Sequence, residues 1–290
     1  MDIERVGVVG CGLMGSGIAE VCARAGADVV VREPDQALLA GGRARIEQSL
    51  SRAVRAGKLT GDEQEAALAR VTFSTEWEAM ADRHLVFEAV TEDADAKLAV
   101  YRALDRAVQG ADAILASNTS SIPIMKLAMA TSRPAQVIGV HFFNPVPVLR
   151  LVELITSLLT ADEVAERAEA YVTNALGRRV IRSQDRAGFV VNALLVPYIL
   201  SAIRMFESGF ASRDDIDTGM VEGCAHPMGP LALADLIGLD TTMAVAESLY
   251  EEFKEPLYAP PPLLSRMVDA NLLGRKTGRG FYDYQRRAAG

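Results

Sequence analysis

Residues 5–35 read RVGVVGCGLMGSGIAEVCARAGADVVVREPD. Val6, Gly7, Val8 and Val9 form a short apolar run that ends in Gly10, and Gly10-Cys11-Gly12-Leu13-Met14-Gly15 follows. Leu13, Ile18, Val21 and Cys22 are spaced for one face of a helix, which Gly26 closes. Val29-Val30-Val31 is a second apolar run, ending at Arg32-Glu33. The pattern is strand, glycine turn, helix, strand, with an acid where the second strand stops. The three glycines of the turn serve different ends. Gly10 permits the tight turn, Gly12 lets backbone N–H groups approach a pyrophosphate, and Gly15 lets the helix pack close to the strand. The helix N-terminus presents free N–H groups to phosphate charge. Glu33 lies eighteen residues past Gly15, close to the ~20 expected of the acid that holds the adenosine ribose. Gly10, Gly12, Leu13, Met14, Gly15 and Glu33 are therefore the first candidate cofactor contacts. The competing readings are a glycine turn in a methyltransferase or in an α/β fold without a ligand, and a solvated strand end for Glu33. A carboxylate at position 33 repels a 2′-phosphate and favours NAD over NADP; Arg32, turned inward, is the residue that would receive such a phosphate.

At 290 residues, half of them apolar and 23% charged, the chain has the composition of a globular protein of one large or two smaller domains. No apolar run reaches the ~18 residues needed to span a membrane, and MDIERVGVVG has neither a basic n-region nor a cleavage site. The net charge of −8 argues against nonspecific nucleic-acid binding, which needs a basic face. Cys11, Cys22 and Cys224 are odd in number and lack metal or redox spacing. The expectation is a reduced, cytoplasmic protein with no disulfide and no metal.

Along the chain, a helix runs from Asp35 to about Ala56, a short helix covers 62–70, and Val71-Thr72-Phe73 is a third strand. Residues 41–60 carry Arg43, Arg45, Arg52, Arg55 and Lys58 against Glu47 alone, five minus one giving a local +4 in an acidic protein. Two readings stand side by side: a landing site for a phosphate-bearing ligand, and a solvated helix face. Leu85 to Val90 is a continuous apolar run suited to a strand buried on both faces. It opens into Thr91-Glu92-Asp93 and a helix through Val108. Ala113 to Ala116 is the fifth strand, ending at Ser117-Asn118-Thr119-Ser120-Ser121; Pro123 starts a helix; Val137 to Val140 is the sixth strand, ending at His141. Glu92, Ser117 and His141 thus cluster where strands end, and in open parallel sheets the ligand crevice lies outside the carboxyl ends of the strands.

His141-Phe142-Phe143-Asn144-Pro145-Val146-Pro147-Val148-Leu149-Arg150-Leu151-Val152-Glu153 reads as strand, proline-rich turn, strand, with His141 and Glu153 symmetric about Pro147. Folded back as a hairpin, the two become neighbours, and a carboxylate beside an imidazole fixes its tautomer and raises its basicity, as a general base requires. A satisfied structural histidine is the alternative. His84 reads as a surface residue and His226 as ambiguous.

Arg178 to Ser183 is a last extended stretch, and from Asp185 the pattern turns helical: a long apolar helix over Phe189–Phe206, too rich for one buried stripe and expected to pack on all sides, with Pro197 kinking it, then helices near 213–221, 230–238, 241–253 and 263–270. The tail after Tyr284 reads as frayed. The expected fold is α/β: an N-terminal Rossmann-type dinucleotide-binding domain over 1–184 and a C-terminal all-helical domain over 185–290 whose excess apolar surface suggests a homodimer interface.

GCGLMGSGIAE at the start, LASNTSS at 115–121, HFFNPVPV at 141–148, VEL at 152–154, GFVVN at 188–192, HPMGP at 226–230 and GRKTGRGFYDY at 274–284 are the motifs by which the chain resembles the 3-hydroxyacyl-CoA dehydrogenases. That resemblance covers nearly the whole chain. It implies interconversion of (S)-3-hydroxyacyl-CoA, short-chain and in particular 3-hydroxybutyryl-CoA, with the 3-oxoacyl-CoA, by hydride transfer with NAD. It implies His141 as catalytic base, Glu153 as its orienting carboxylate, Ser117 on the substrate oxygen and Asn192 completing the site from the helical domain. It places Glu92, Lys97, Asn144 and Lys276 at the cofactor, and Ser49 with Arg52, Arg55 and Lys58 at the CoA moiety. It also implies dimerisation. Ala193 departs from the arginine common after GFVVN, and Glu33 replaces the commoner aspartate with a longer arm.

Two other readings remain. A related NAD-dependent oxidoreductase acting on a hydroxy acid without CoA would have no use for the +4 patch. A non-catalytic NAD-binding protein would have no use for His141, Glu153, Ser117 and Asn192 together.

Overall fold

The computed structural model describes residues 3–285, so the expectation of a frayed tail falls, beyond Gln285, outside the described residues. Contacts divide the chain into two compact units, one up to Arg186 and the other from Ala187. The division comes two residues later than expected because Asp185 belongs to the first unit: its carboxylate accepts from Ile124 N at 2.8 Å and Met125 N at 2.7 Å and so caps α5 (Ile124–Ala128).

The first unit is an eight-stranded sheet ordered β3-β2-β1-β4-β5-β6-β7-β8. Its strands are β1 (Arg5–Val9), β2 (Asp28–Arg32), β3 (Val71–Ser74), β4 (Leu85–Glu88), β5 (Ile114–Ser117), β6 (Val137–Phe142), β7 (Leu151–Thr156) and β8 (Arg179–Gln184). All neighbours are parallel except β6 and β7. The chain winds outward from β1 to β3 and then back across to β4, so the switch point between β1 and β4 opens a crevice at their carboxyl ends. The run LVFE of β4 is buried throughout, as a strand covered on both faces must be. Helices α1 (Leu13–Arg24), α2 (Gln36–Arg55), α3 (Gly61–Ala69), α4 (Ala94–Ala107), α5 and α6 (Asp162–Ala170) connect the strands.

Local chemistry sets the helix ends. Asp35 accepts from Leu38 N at 2.8 Å to start α2, and Thr60 with Glu63 forms a reciprocal capping box on α3. The core gathers Val6, Val8, Ile18, Val29, Val31, Leu50, Phe87 and Ile138, each worth about 1.5–3 kcal/mol when fully buried. Ile18, Val21 and Cys22 of α1 are buried as expected, but Leu13 is 66% exposed. It stands in the first turn of the helix, where the chain leaves the crevice.

The second unit is helical: α7 (Val191–Glu207), α8 (Arg213–Cys224), α9 (Pro230–Ile237), α10 (Leu239–Phe253) and α11 (Pro262–Asp269). Ile199, Leu200 and Ile203 of α7 pack with Leu231, Leu239, Leu249 and Leu264. The helix does not pack on all sides within the described chain, because Leu194 is 74% and Met205 41% exposed. His226 is not a free surface group: its Nδ1 lies 3.2 Å from Tyr198 Oη. No helix among the described residues is long and apolar enough to cross a membrane.

Candidate active site

The glycine turn sits at the switch point. Gly10 takes φ +91, and a Cβ there would stand 2.6 Å from Ala89 O beyond β4; a Cβ on Gly15 would stand 1.8 Å from Gly10 O. The protein itself therefore demands these two glycines. Gly12 is different: a Cβ there would meet nothing within 4 Å, so the space in front of it is open. Gly12 is the N-cap of α1 and supplies no side-chain cap, and no acid stands in the first turn. Free backbone donors facing open space fit a pyrophosphate.

Glu33, buried at the end of β2, accepts a hydrogen bond through Oε1 from Cys11 N–H. It thereby ties the second strand to the glycine turn. Burial, and then the Glu33 carboxylate, push the Cys11 thiol up to about 12. Arg32 is engaged by the protein itself: its Nε donates to Thr75 O at 3.2 Å, and its guanidinium carbon lies 4.0 Å from the centre of the Trp77 ring. Met14, partly buried, packs against the core.

His141 lies inside β6, one residue before its end, rather than after it. The antiparallel register pairs His141 with Glu153. Both are buried, and Nδ1 lies 2.7 Å from Glu153 Oε2. The ring of Phe143 meets the imidazole edge-on at 4.7 Å. The other ring nitrogen, Nε2, is 2.9 Å from Ser120 Oγ.

Ser117 does not reach His141. Its hydroxyl, fully buried, donates to Glu88 Oε2 at 2.7 Å and accepts from Thr119 N at 3.2 Å. Glu88 is the last residue of β4, and its other oxygen receives Lys97 Nζ at 2.6 Å. Lys97 also meets Glu92 Oε2 at 3.2 Å. Glu92 Oε1 in turn accepts from Thr119 Oγ1 at 2.5 Å, Ser120 N at 2.8 Å, Ser121 N at 3.0 Å and Ser121 Oγ at 2.9 Å. Burial alone would push the Glu92 pKa up, but Lys97 and these donors outweigh it and hold the carboxyl below the ordinary glutamate range. Glu92 and Lys97 thus build the 119–121 loop that carries Ser120 to His141. Asn118 anchors the same loop to β6, its Oδ1 accepting from Phe142 N at 2.9 Å.

Ser117 stands out in the sequence because it ends a strand; within Ser-Asn-Thr-Ser-Ser nothing in the residue types separates it from Ser120. Glu88 escapes a reading of the sequence as well, although an acid inside the apolar run Leu85 to Val90 is its signal.

A groove of about 280 Å³ brings Leu13, Ser49 and Arg52 together with Asn144. Lys58 does not line it but opens on a different cavity. Arg55, the last residue of α2, is exposed. Arg43 and Arg45 are partly engaged: Arg43 lies over Phe73 at 4.4 Å, and Arg45 donates to Cys11 O at 3.1 Å. In the helical unit, Asn192 occupies the first turn of α7. Ala193 N closes that turn on Gly188 O at 3.0 Å. Lys276 is paired with Asp240 at 2.5 Å.

An open glycine turn at a sheet switch point, an acid at the end of β2, and a carboxylate-backed histidine on β6 define a nicotinamide-dependent dehydrogenase. Comparison with known proteins agrees. The model of the 3-hydroxyacyl-CoA dehydrogenase NAD-binding domain matches residues 5–186 and that of the family's C-terminal domain residues 188–284. A 3-hydroxybutyryl-CoA dehydrogenase of Mycobacterium tuberculosis is 59% identical over 97% of this chain and 99% of its own. The human mitochondrial hydroxyacyl-coenzyme A dehydrogenase is 40% identical over 98% of this chain and 92% of its own. The crystal structure of (S)-3-hydroxybutyryl-CoA dehydrogenase from Ralstonia eutropha superimposes with a TM-score of 0.93 at 48% identity, covering 98% of this chain and 99% of that one. The chain belongs to the 3-hydroxyacyl-CoA dehydrogenase family and is an NAD-dependent oxidoreductase.

Proposed function

We propose that the protein interconverts short-chain (S)-3-hydroxyacyl-CoA, with 3-hydroxybutyryl-CoA as the representative substrate, and the corresponding 3-oxoacyl-CoA, and that His141 is its general acid and base. The observation that carries this is the line Glu153–His141–Ser120, with one ring nitrogen on a buried carboxylate and the other on a serine hydroxyl. With Nδ1 held as donor to Glu153, Nε2 is the nitrogen that takes the proton of the 3-hydroxyl in oxidation and returns it in reduction. The glycine turn, with its open space at Gly12, would hold NAD, which when bound would supply the hydride acceptor for the carbon that bears the hydroxyl. Glu153 stabilises the imidazolium that forms. Ser120, rather than Ser117, is the hydroxyl that holds the substrate oxygen, since it already occupies hydrogen-bond distance from Nε2.

The groove between α1, α2 and the β6–β7 connection, with Ser49 and Arg52, is assigned to the pantetheine and phosphates of CoA, and Asn192 to a further hydrogen bond on the substrate. Exposed Leu194 and Met205 on α7 and Leu236 on α9 support a homodimer through the helical domain. A cytoplasmic location belongs to the same reading.

Steady-state reduction of acetoacetyl-CoA with NADH and NADPH side by side, followed by free acetoacetate, tests it. Thioester turnover with an NADH preference is expected. Reaction of the free acid without thioester turnover would remove the CoA assignment.

A further inference from the structure

A second cavity, of about 660 Å³, opens in the first unit between α1, α3 and the loops that precede β7 and β8. Arg24, Lys58, Arg70, Arg150 and Arg178 line it against one carboxylate, Glu63. Five minus one leaves +4 in a chain of net charge −8. Glu63 offsets only one of the five: its Oε2 accepts from Thr60 N at 2.7 Å and Thr60 Oγ1 at 2.9 Å in the capping box, and its charge interacts with Arg24.

The cations are not paired off elsewhere to the same extent. Arg24 meets the buried Glu20 at 3.3 Å. Arg70 and Arg178 each donate to a neutral carbonyl, Ala66 O at 3.0 Å and Leu149 O at 3.1 Å, rather than to a carboxylate. Burial, then Arg24 and Arg150, pull the Arg178 guanidinium below its ordinary value, and its Nε is buried with no hydrogen-bond partner among the described residues. Like charges gathered in a concave space repel one another and raise the local concentration of anions. The cost is relieved when an anion with several oxygens enters, and guanidinium forks match phosphate oxygens two at a time.

We propose that this cavity is a binding site for a phosphate-bearing anion. It is distinct from the glycine turn and from His141, but Pro147 lines both it and the groove holding Ser49 and Arg52. Two sources share the required chemistry. One is the nucleotide phosphates of the thioester substrate reaching past Pro147, which rests on the function proposed above. The other is a separate small phosphate compound.

Calorimetric titration of the full chain, its glycine turn kept saturated with NADH, with inorganic pyrophosphate at low salt tests the site without recourse to turnover. Arg70→Ser/Arg150→Ser removes two exposed cations outside the assigned substrate groove and should leave the melting temperature near wild type. The wild type is expected to bind pyrophosphate, and the double variant to bind it at least about tenfold more weakly, since charged hydrogen bonds are being lost. Displacement of pyrophosphate by CoA, with the variant raising KM for acetoacetyl-CoA but not for acetoacetyl-pantetheine, assigns the thioester as source. Independent binding of CoA and pyrophosphate assigns a separate anion. Equal affinity in wild type and variant, or no binding to wild type, overturns the site. Absence of turnover on any thioester, with pyrophosphate still lost in the variant, overturns the enzymatic reading and leaves the anion site standing.

Discussion

Ser120 Oγ lies 2.9 Å from His141 Nε2, while Ser117 Oγ, three residues earlier, points into the sheet and donates to Glu88 at 2.7 Å. The two serines therefore fail differently when removed. Ser120→Ala should lower kcat/KM by roughly ten- to a hundredfold, the loss of one positioned donor at the reacting oxygen, with little change in melting temperature. Ser117→Ala should cost about 1–3 kcal/mol of stability, because a buried carboxylate oxygen loses its donor. Urea unfolding and kinetics on both variants decide it; a stable Ser117→Ala protein with collapsed turnover would reverse the assignment.

Glu153 sits opposite His141 in the β6–β7 register with its side chain fully buried. Glu153→Gln keeps the shape and removes the charge that favours imidazolium. The amide also presents a donor to Nδ1, so the ring can settle in the wrong tautomer. A fall in kcat of roughly 10² or more is expected, with NADH affinity near wild type, since Glu153 touches the histidine and not the glycine turn. Turnover within a fewfold of wild type would show that the pair is structural.

This pair is legible in the sequence, and so is most of the fold. The strands declare themselves as short apolar runs, and the mirror placement of His141 and Glu153 about Pro147 sets the hairpin. What stays hidden are the partners chosen by packing between strands distant in sequence. Glu88 and Ser117 end neighbouring strands β4 and β5 and face each other in register, and that register exists only once the sheet is assembled. Lys97, placed at the cofactor by family resemblance, is buried between two carboxylates, and a lysine in an exposed-looking helical turn gives no sign of that. The surface of α7 is hidden for a related reason. A helix rich in apolar residues does not reveal which of them a neighbouring chain, rather than its own domain, would cover.

The cysteines give a direct check on the packing around the glycine turn. Burial pushes the thiols of both Cys11 and Cys22 up to about 12, whereas Cys224 is exposed. Thiolate is the reactive form. Iodoacetamide at a mildly alkaline pH of about 8, near the ordinary thiol value, should therefore label Cys224 alone in the native protein and all three thiols in urea, as read by peptide mass spectrometry. Rapid native labelling of Cys11 would mean that the turn between β1 and α1 opens.

Lys97 holds together the two carboxylates on which the Ser120 loop depends. Lys97→Met leaves Glu88 buried with one oxygen stripped of its cation and removes the same cation from Glu92. Breaking a buried pair in this way costs about 3–5 kcal/mol. The penalty should shrink on acidification, because the stranded carboxylates can then take up protons. The wild type should behave oppositely. Glu92 titrates below the ordinary glutamate value when folded, so its contribution is fully present above the unfolded value of about 4.3 and is lost as pH falls through the lower folded one. Urea unfolding of wild type and Lys97→Met at a series of pH values from neutral down to about 4 should show the two stabilities converging toward acid. A constant difference across that range would mean that the ion pairs with Glu88 and Glu92 are not what the lysine contributes.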